Sequence, residues 1–237
     1  MGRDLDKSKD RDLSNSDDVS AFLQKVTSTP ARSAPGSTGR LIFAMDATAS
    51  RQPTWDHASH LQREMFDAAA TAGQLELQIA FFRGFGEFRA TSWTQDSRAL
   101  IRPLSKVTCL GGHTQIGKVL KHTLRQTAEK KVNALVYVGD CMEEDTDHLC
   151  HLAGQIGMQG VPIFTFQEGY DPVAEACFRQ ISKLTNGAFC RFDSGSAALL
   201  KTLLKAVAVY ATGGRQALEN YSQKVGGETL LLTRQIK

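Results

Sequence analysis

The sequence has no long hydrophobic run and no large excess of charge of one sign. Its longest apolar stretches have the length of a β-strand, far short of the roughly 20 residues that a membrane-spanning helix needs. The first residues are charged and lack the apolar core of a secretory signal. The formal net charge is only +3 and is evenly distributed, which argues against binding to nucleic acid. We therefore expect a cytoplasmic protein that binds neither a membrane nor nucleic acid.

Cysteine pairs and common catalytic motifs are also missing. The five cysteines form no Cys-x-x-Cys pair, and in a cytoplasmic protein this predicts reduced thiols that are packed or inert. Cys150 lies between His148 and His151, but neighbouring residues on one helix rarely form a metal site alone. No Gly-x-Ser-x-Gly motif is present. Thr48 occupies the position where a phosphatase of the haloacid dehalogenase type carries its second aspartate. These absences argue against an enzyme.

The composition divides the chain into three parts. Residues 1–38 are predicted to form a flexible arm, because their charge-rich beginning has too few apolar residues to offset the entropy of ordering. Within this arm, residues 17–26 are expected to form a short helix with one apolar stripe that docks on the chain's own domain, followed by a Pro/Ser/Gly linker. Residues 39–212 form the predicted domain, and residues 213–237 a tail.

Strand and helix patterns alternate through the central part. Strands are predicted at 41–46, 75–82, 87–93, 134–140, 162–166 and 188–192. Helices are predicted from 54 onward, at 97–107, from 114 or just after it, and at 146–157, 173–184 and 196–211. Continuous apolar strands separated by amphipathic helices predict an α/β fold with a mostly parallel sheet covered on both faces. The turn at 83–86 predicts a hairpin that places one antiparallel strand at an edge.

Side chains that bear oxygen lie at the ends of these strands. Asp46, Thr48 and Ser50 follow the first strand at intervals of two, and Asp140 ends the fourth. Thr114 follows a Gly-Gly turn that permits close approach of the backbone. In an open α/β sheet, such positions meet outside the carboxyl ends of the strands, where the strand order reverses. Two carboxylates and three hydroxyls form a hard ligand set that suits Mg²⁺ or Mn²⁺.

The pattern Asp46-x-Thr48-x-Ser50, with Thr114 and Asp140 in later loops, resembles the metal-ion-dependent adhesion site of the von Willebrand factor A (VWA) domain family. The similarity is greatest to the small intracellular bacterial members and covers about residues 39–211. It implies a Rossmann-like, doubly wound sheet of six strands in the order 3-2-1-4-5-6. It also implies that the five residues coordinate Mg²⁺ or Mn²⁺, to which a partner protein adds an exposed Asp or Glu. We expect the chain to be monomeric on its own.

Two residues depart from the family pattern, and three more are candidates for the rim of the site. Thr48 stands where serine is commoner, and Cys141 stands where a glycine usually follows the second aspartate. Arg51 and His113 are adjacent in sequence to predicted ligands, so we expect them to meet an anionic partner. Phe85, at the hairpin tip, is expected to be exposed and to contact the same partner.

Other interpretations of these segments stay open. The domain could be a scaffold or adaptor that binds no metal. Residues 112–118 match a phosphate-binding loop, but Val119 stands where such a loop needs a serine or threonine, which disfavours a nucleotide-binding enzyme. The acidic run at 143–147 is most simply explained as complementing the positive end of the helix that follows it.

Overall fold

The part of the chain that can be described forms a six-stranded sheet with helices on both faces. The computed structural model describes residues 22, 24–26, 28, 38–52, 75–96, 99–100, 106–192 and 204–212. Its strands are β1 (Gly39–Asp46), β2 (Leu75–Arg83), β3 (Glu87–Ala90), β4 (Ala134–Gly139), β5 (Ile163–Glu168) and β6 (Phe189–Phe192). Its helices are α1 (Ile116–Glu129), α2 (Thr146–Met158) and α3 (Pro172–Leu184), with a one-turn 3-10 helix at Ala49–Arg51 and helical residues at 204–212.

The strand order is β3-β2-β1-β4-β5-β6, which is the order that the resemblance to VWA domains implied. All neighbouring strands are parallel except β2 and β3, which form the predicted antiparallel hairpin at one edge. The order reverses between β1 and β4, so a crevice lies outside the carboxyl ends of these two strands. Met45 pairs with Val138 in the β1–β4 register, and Asp46 and Asp140 therefore leave neighbouring strands at the same edge of the sheet.

Each face of the sheet is covered by its own hydrophobic core. Leu41 and Phe43 of β1 belong to one core, which also contains side chains of helical residues 204–211. Ile42 and Ala44, which alternate with them, belong to the other core, together with side chains of α1, α2 and α3. A strand that buries both faces reads as a continuous apolar run, which is why β1 shows no alternation.

Two residues of the predicted N-terminal helix pack into the first core. Phe22 and Val26 are fully buried, and the ring of Phe22 lies 5.9 Å from that of Phe164 and 5.1 Å from that of Phe166. For these residues the predicted docking on the chain's own domain is confirmed. Residues 1–21 lie outside the described part of the chain, and the predicted domain boundary at 38/39 stays a prediction.

Most other boundaries of the strands and helices lie within two residues of those predicted from the sequence, but the end of β3 differs more. It ends at Ala90 instead of residue 93, although Leu77 and Thr94 still exchange two backbone hydrogen bonds beyond it. The predicted helix from residue 54, all but residues 99, 100, 106 and 107 of the predicted 97–107 helix, and the predicted tail at 213–237 lie outside the described residues. No helix in the described ranges has both the length and the apolar character needed to cross a membrane.

Candidate metal centre

The loop after β1 brings three of the predicted ligands together. Asp46 is fully buried, and its Oδ1 accepts a hydrogen bond from the backbone N–H of Thr48 at 2.7 Å. An aspartate that bonds the backbone two residues ahead stabilises a tight turn. This turn places Thr48 Oγ1 3.1 Å from Ser50 Oγ. The other carboxylate oxygen of Asp46, Oδ2, is buried and has no hydrogen-bond partner among the described residues.

The loop after β4 supplies a second carboxylate and a thiol. A carboxylate oxygen of Asp46, a carboxylate oxygen of Asp140 and Cys141 Sγ all lie within 4.8 Å of one another. Oδ1 of Asp140 is also buried without a hydrogen-bond partner in the described part of the chain. Buried polar atoms are nearly always paired, and unpaired ones are costly. A cation between these two carboxylate oxygens would satisfy both at once.

The electrostatics of this cluster favour positive charge. The pKa of Asp46 is raised to about 6, mainly by burial and partly by the charge of Asp140, although the hydrogen bonds from Thr48 and the charge of Arg51 lower it. The pKa of the Cys141 thiol is likewise raised to about 12, mainly by burial and then by the charges of Asp140 and Asp46. Placing negative charge here is therefore unfavourable without a cation to balance it.

Thr114 is joined to the loop that carries Asp140. Its N–H donates to Glu143 Oε2 and its Oγ1 accepts from the Glu143 N–H, both at 3.0 Å. The segment leading to Thr114 also contacts the β1 loop, because Leu110 forms a parallel bridge with Thr48 and donates its N–H to the carbonyl of Ala47 at 3.1 Å. Direct hydrogen bonds thus connect the three loops that carry the five predicted ligands.

A close backbone contact fixes this segment against the hairpin tip. A Cβ atom on Gly112 would lie 2.0 Å from the carbonyl oxygen of Gly84, whereas one on Gly111 would meet nothing within 4 Å. Gln115 Nε2 reinforces the contact by donating to the carbonyls of Arg83 and Gly84 at 3.2 and 3.1 Å. The close approach that the Gly-Gly pair predicted is confirmed, and Gly112 is the residue that requires it.

Two of the three predicted rim residues are exposed and touch each other. The side chain of Phe85 is 84% exposed and that of His113 is 68% exposed. Their rings meet edge to face with centroids 5.3 Å apart. His113 Nδ1 also lies 3.2 Å from Glu143 Oε2. The hairpin tip and the Thr114 loop therefore present one mixed aromatic and polar surface beside the ligand cluster.

Arg51 does not lie on this rim, and that expectation was wrong. Its side chain is only 1% exposed and forms an ion pair with Glu168 at the end of β5. Burial lowers the pKa of the Arg51 guanidinium, while the charges of Asp140 and Asp46 raise it. Three carboxylates around one guanidinium offset the cost of burying it. Arg51 is thus a cation inside the site.

The acidic run serves two helices. Asp145 caps α2 by accepting from the N–H of His148 at 2.7 Å, as the sequence predicted. Glu144 instead accepts from the N–H groups of Ile116 and Gly117 and so caps α1. These are amides that a phosphate-binding loop would offer to a nucleotide. Their use by Glu144 further disfavours the nucleotide-binding alternative.

Sequence reasoning missed several residues of the site. Glu168 pairs with Arg51 from a position distant in sequence, and Glu143, three residues after Asp140, accepts a hydrogen bond from the N–H of Thr114. Tyr137 is also buried nearby, and its hydroxyl has no hydrogen-bond partner in the described ranges. Its pKa is raised well above the ordinary value, mainly by burial and then by Asp46. Cys141 was visible in the sequence as a departure from the family pattern, but its proximity to both carboxylates was not.

Comparison with known proteins gives matches in structure alone. No family model matches the chain, and no curated protein matches it in sequence. A von Willebrand factor type A protein from Catenulispora acidiphila is 14% identical with a TM-score of 0.59, over 74% of this chain and 43% of that one. The VWA domain of SpRpn10 is 12% identical with a TM-score of 0.57, over 71% of this chain and 94% of that one.

A third match is an aerotolerance-related membrane protein from Bacteroides fragilis, crystallised with multiple mutations to serines. It is 16% identical with a TM-score of 0.56, over 70% of this chain and 98% of that one. Together with the strand order, these likenesses show that the chain has a VWA-like fold. At such low identity they show the fold alone.

Proposed function

We propose that this chain is a protein-interaction module that binds Mg²⁺ or Mn²⁺ and, through the ion, an acidic residue of a partner protein. One observation carries the proposal: two buried carboxylate oxygens without hydrogen-bond partners in the described part of the chain, Asp46 Oδ2 and Asp140 Oδ1, lie at the reversal of the strand order. Ligands of open α/β sheets bind at this place.

The chemistry of the ligand set supports this choice of ion. Asp46 and Asp140 balance most of a 2+ charge, while Thr48, Ser50 and Thr114 provide oxygens without adding negative charge. Mg²⁺ prefers oxygen ligands and usually keeps exchangeable water, so the bound ion would supply a position for one carboxylate oxygen of the partner.

The exposed surface next to the cluster indicates what else the partner offers. Phe85 provides an apolar ring, and His113 lies against it with Glu143 on its other side. A partner segment with an apolar side chain close to its Asp or Glu fits this surface. We propose recognition of this kind rather than catalysis, and we retain a cytoplasmic, monomeric protein as part of the proposal.

A metal-free scaffold is the second candidate, and one observation favours it. The buried guanidinium of Arg51 lies close enough to Asp46 and Asp140 to interact with both charges. It therefore supplies part of the positive charge that an ion would bring. Whether the site still binds an ion decides between the two candidates.

The test is a titration with Mn²⁺ followed by electron paramagnetic resonance, in which binding removes the signal of the free ion. We expect the wild type to bind one ion and Asp46→Ala to bind none, while Asp147→Asn, an exposed position on α2, behaves as wild type. A peptide with a single exposed Asp should then bind in Mn²⁺ but not in chelator, and its Asn counterpart should not bind. Equal Mn²⁺ binding by wild type and Asp46→Ala contradicts the proposal.

A further inference from the structure

The side chain of Cys141 belongs to the same cluster as the two aspartates. Its Sγ lies within 4.8 Å of a carboxylate oxygen of Asp46 and of one of Asp140. Among the described residues, these three form the one group of His, Cys, Asp or Glu side chains close enough to hold a metal ion together. The buried, unpartnered Oδ2 of Asp46 is an independent sign that the cluster takes a ligand.

We propose that Cys141 is a sulfur ligand of this centre, which lets the site bind thiophilic divalent ions such as Zn²⁺ in addition to Mg²⁺ and Mn²⁺. This inference rests on the proposed function, since it concerns the same site. It alters the expectation from the sequence that every cysteine is packed or inert.

Distances and ligand chemistry support a thiolate at this position. Zinc binds cysteine sulfur and carboxylate oxygen at about 2.0–2.3 Å, so its ligand atoms lie about 3–4 Å apart. The three ligand atoms are at most 4.8 Å apart, so rotations of the Cys141 and Asp140 side chains that move these atoms by about 1 Å are enough to reach such spacings. Oxygen-only sets suit Mg²⁺, whereas a mixed sulfur and oxygen set favours softer ions.

The proton balance of binding is simple. A free cysteine thiol has an ordinary pKa of about 8.5, so without a cation the sulfur keeps its proton at neutral pH. As the metal–sulfur bond forms, the S–H bond breaks and the proton passes to solvent. No electrons are transferred, and no other reactant is needed. A thiol that only donates a hydrogen bond to Asp140 would not release its proton when the ion binds.

Cadmium is the probe, because a cadmium–thiolate bond gives an ultraviolet charge-transfer band that carboxylates do not give. We expect one equivalent of Cd²⁺ to produce this band in the reduced wild-type chain and in Cys109→Ser and Cys150→Ser. Cys141→Ser and Cys141→Ala should lack the band. They should also bind Zn²⁺ at least roughly 10–100-fold more weakly, since loss of even an outer-shell partner of a metal ligand costs that much affinity. Cys109 is an informative control, because it is also half-buried and interacts with the charges of both aspartates.

The outcomes separate the two proposals. Binding of Mn²⁺ with no cadmium band, or a band that persists in both Cys141 variants, overturns the sulfur ligand and leaves the proposed function standing. If the wild type binds neither Mn²⁺ nor Cd²⁺, both the sulfur ligand and the proposed function are overturned. Loss of the band with Mn²⁺ binding retained in Cys141→Ser supports the sulfur ligand, and circular dichroism confirms that each variant is folded.

Discussion

At the scale of the single residue, the buried carboxyl of Asp46 makes the stability of the metal-free fold depend on pH. Its pKa is about 6 in the fold, against an ordinary 3.8. A carboxyl with a raised pKa favours folding while it is protonated, and this contribution is lost as pH rises through the folded pKa. In chelator, the free energy of unfolding should therefore fall between pH 4 and 7, by about 3 kcal/mol from this group.

Urea unfolding across this pH range measures the effect, and Asp46→Asn is the matched variant because it cannot ionise. The difference in stability between wild type and Asp46→Asn should grow in favour of the variant as pH rises, and should level off above pH 7. A difference that stays constant over the range would show that Asp46 does not carry the titration.

Arg51 gives the second prediction at this scale, since it places a fixed positive charge beside the ligands. Replacing Arg51 with Met removes that charge, and the accompanying Glu168→Gln avoids leaving the Glu168 carboxylate without its ion-pair partner. Mn²⁺ affinity should rise about tenfold or more, because a charge a few ångströms away is worth about 1–3 kcal/mol in a partly buried site.

The charge-conserving variant Arg51→Lys provides the control: it keeps a positive charge beside the ligands and should bind Mn²⁺ within about threefold of wild type. Mn²⁺ titration measures all three proteins. A loss of affinity in the Arg51→Met, Glu168→Gln protein would mean that the guanidinium holds the ligands in place rather than competing with the ion.

The kind of contact that each residue makes explains why the sequence predicted that Asp46, Thr48 and Ser50 lie together but did not predict the burial of Arg51. Asp46, Thr48 and Ser50 lie on one short loop, so their spacing alone brings them together. The partner of Arg51 is Glu168, which is 117 residues away in sequence. No local pattern reveals such a pair, and an arginine beside a loop is usually exposed.

At the scale of the element, the position of the Thr114 loop depends on its contact with the β2–β3 hairpin. Gly112→Ala places a Cβ 2.0 Å from the backbone oxygen of Gly84, so the loop must move away. We expect Mn²⁺ binding to weaken at least tenfold and the free energy of unfolding to fall by about 1–3 kcal/mol.

Gly111→Ala is the matched control, because its Cβ meets nothing within 4 Å. It should match the wild type in both Mn²⁺ titration and urea unfolding. Equal behaviour of the two alanine variants would contradict the idea that this backbone contact positions Thr114.

The elements themselves could be predicted where local chemistry determines them. Asn186 adopts a positive φ of 57° just after α3, the stop that the Asn-Gly pair predicted. The role of Glu144 in the acidic run was harder to predict, because the helix that it caps begins 28 residues earlier in the chain. Sequence patterns identify caps of the following helix, whereas caps of a distant helix depend on how the loops pack.

At the scale of the whole molecule, the packing of Phe22 tests whether the N-terminal helix belongs to the domain. Phe22 is fully buried against Phe164 and Phe166 of β5. Phe22→Ala should therefore lower the free energy of unfolding by about 3–5 kcal/mol. Lys25→Ala, on the exposed side of the same helix, should change it by no more than about 0.5 kcal/mol.

Urea unfolding compares these two variants with the wild type. A small effect of Phe22→Ala, no larger than that of Lys25→Ala, would show that the helix contributes little to the domain in solution.

The resemblance to VWA domains implied the order of the strands, whereas the sequence pattern itself predicted which neighbours are parallel and which are antiparallel. Strands that alternate with helices form parallel neighbours, and the one short turn at 84–86 gives the antiparallel edge. The docking of Phe22 was expected only from an apolar stripe, since a stripe shows that a helix has a buried face but not which surface covers it.

Thermal unfolding of wild type and Asp46→Ala, with and without 10 mM Mg²⁺ or Mn²⁺, measures directly whether the domain binds the ion through Asp46. For a dissociation constant of about 0.1 mM, binding adds about 2.7 kcal/mol, which raises Tm by roughly 5–10 °C for a domain of this size. We expect this rise in the wild type and no rise in Asp46→Ala. An unchanged Tm in the wild type would contradict a metal-dependent module and favour the metal-free scaffold.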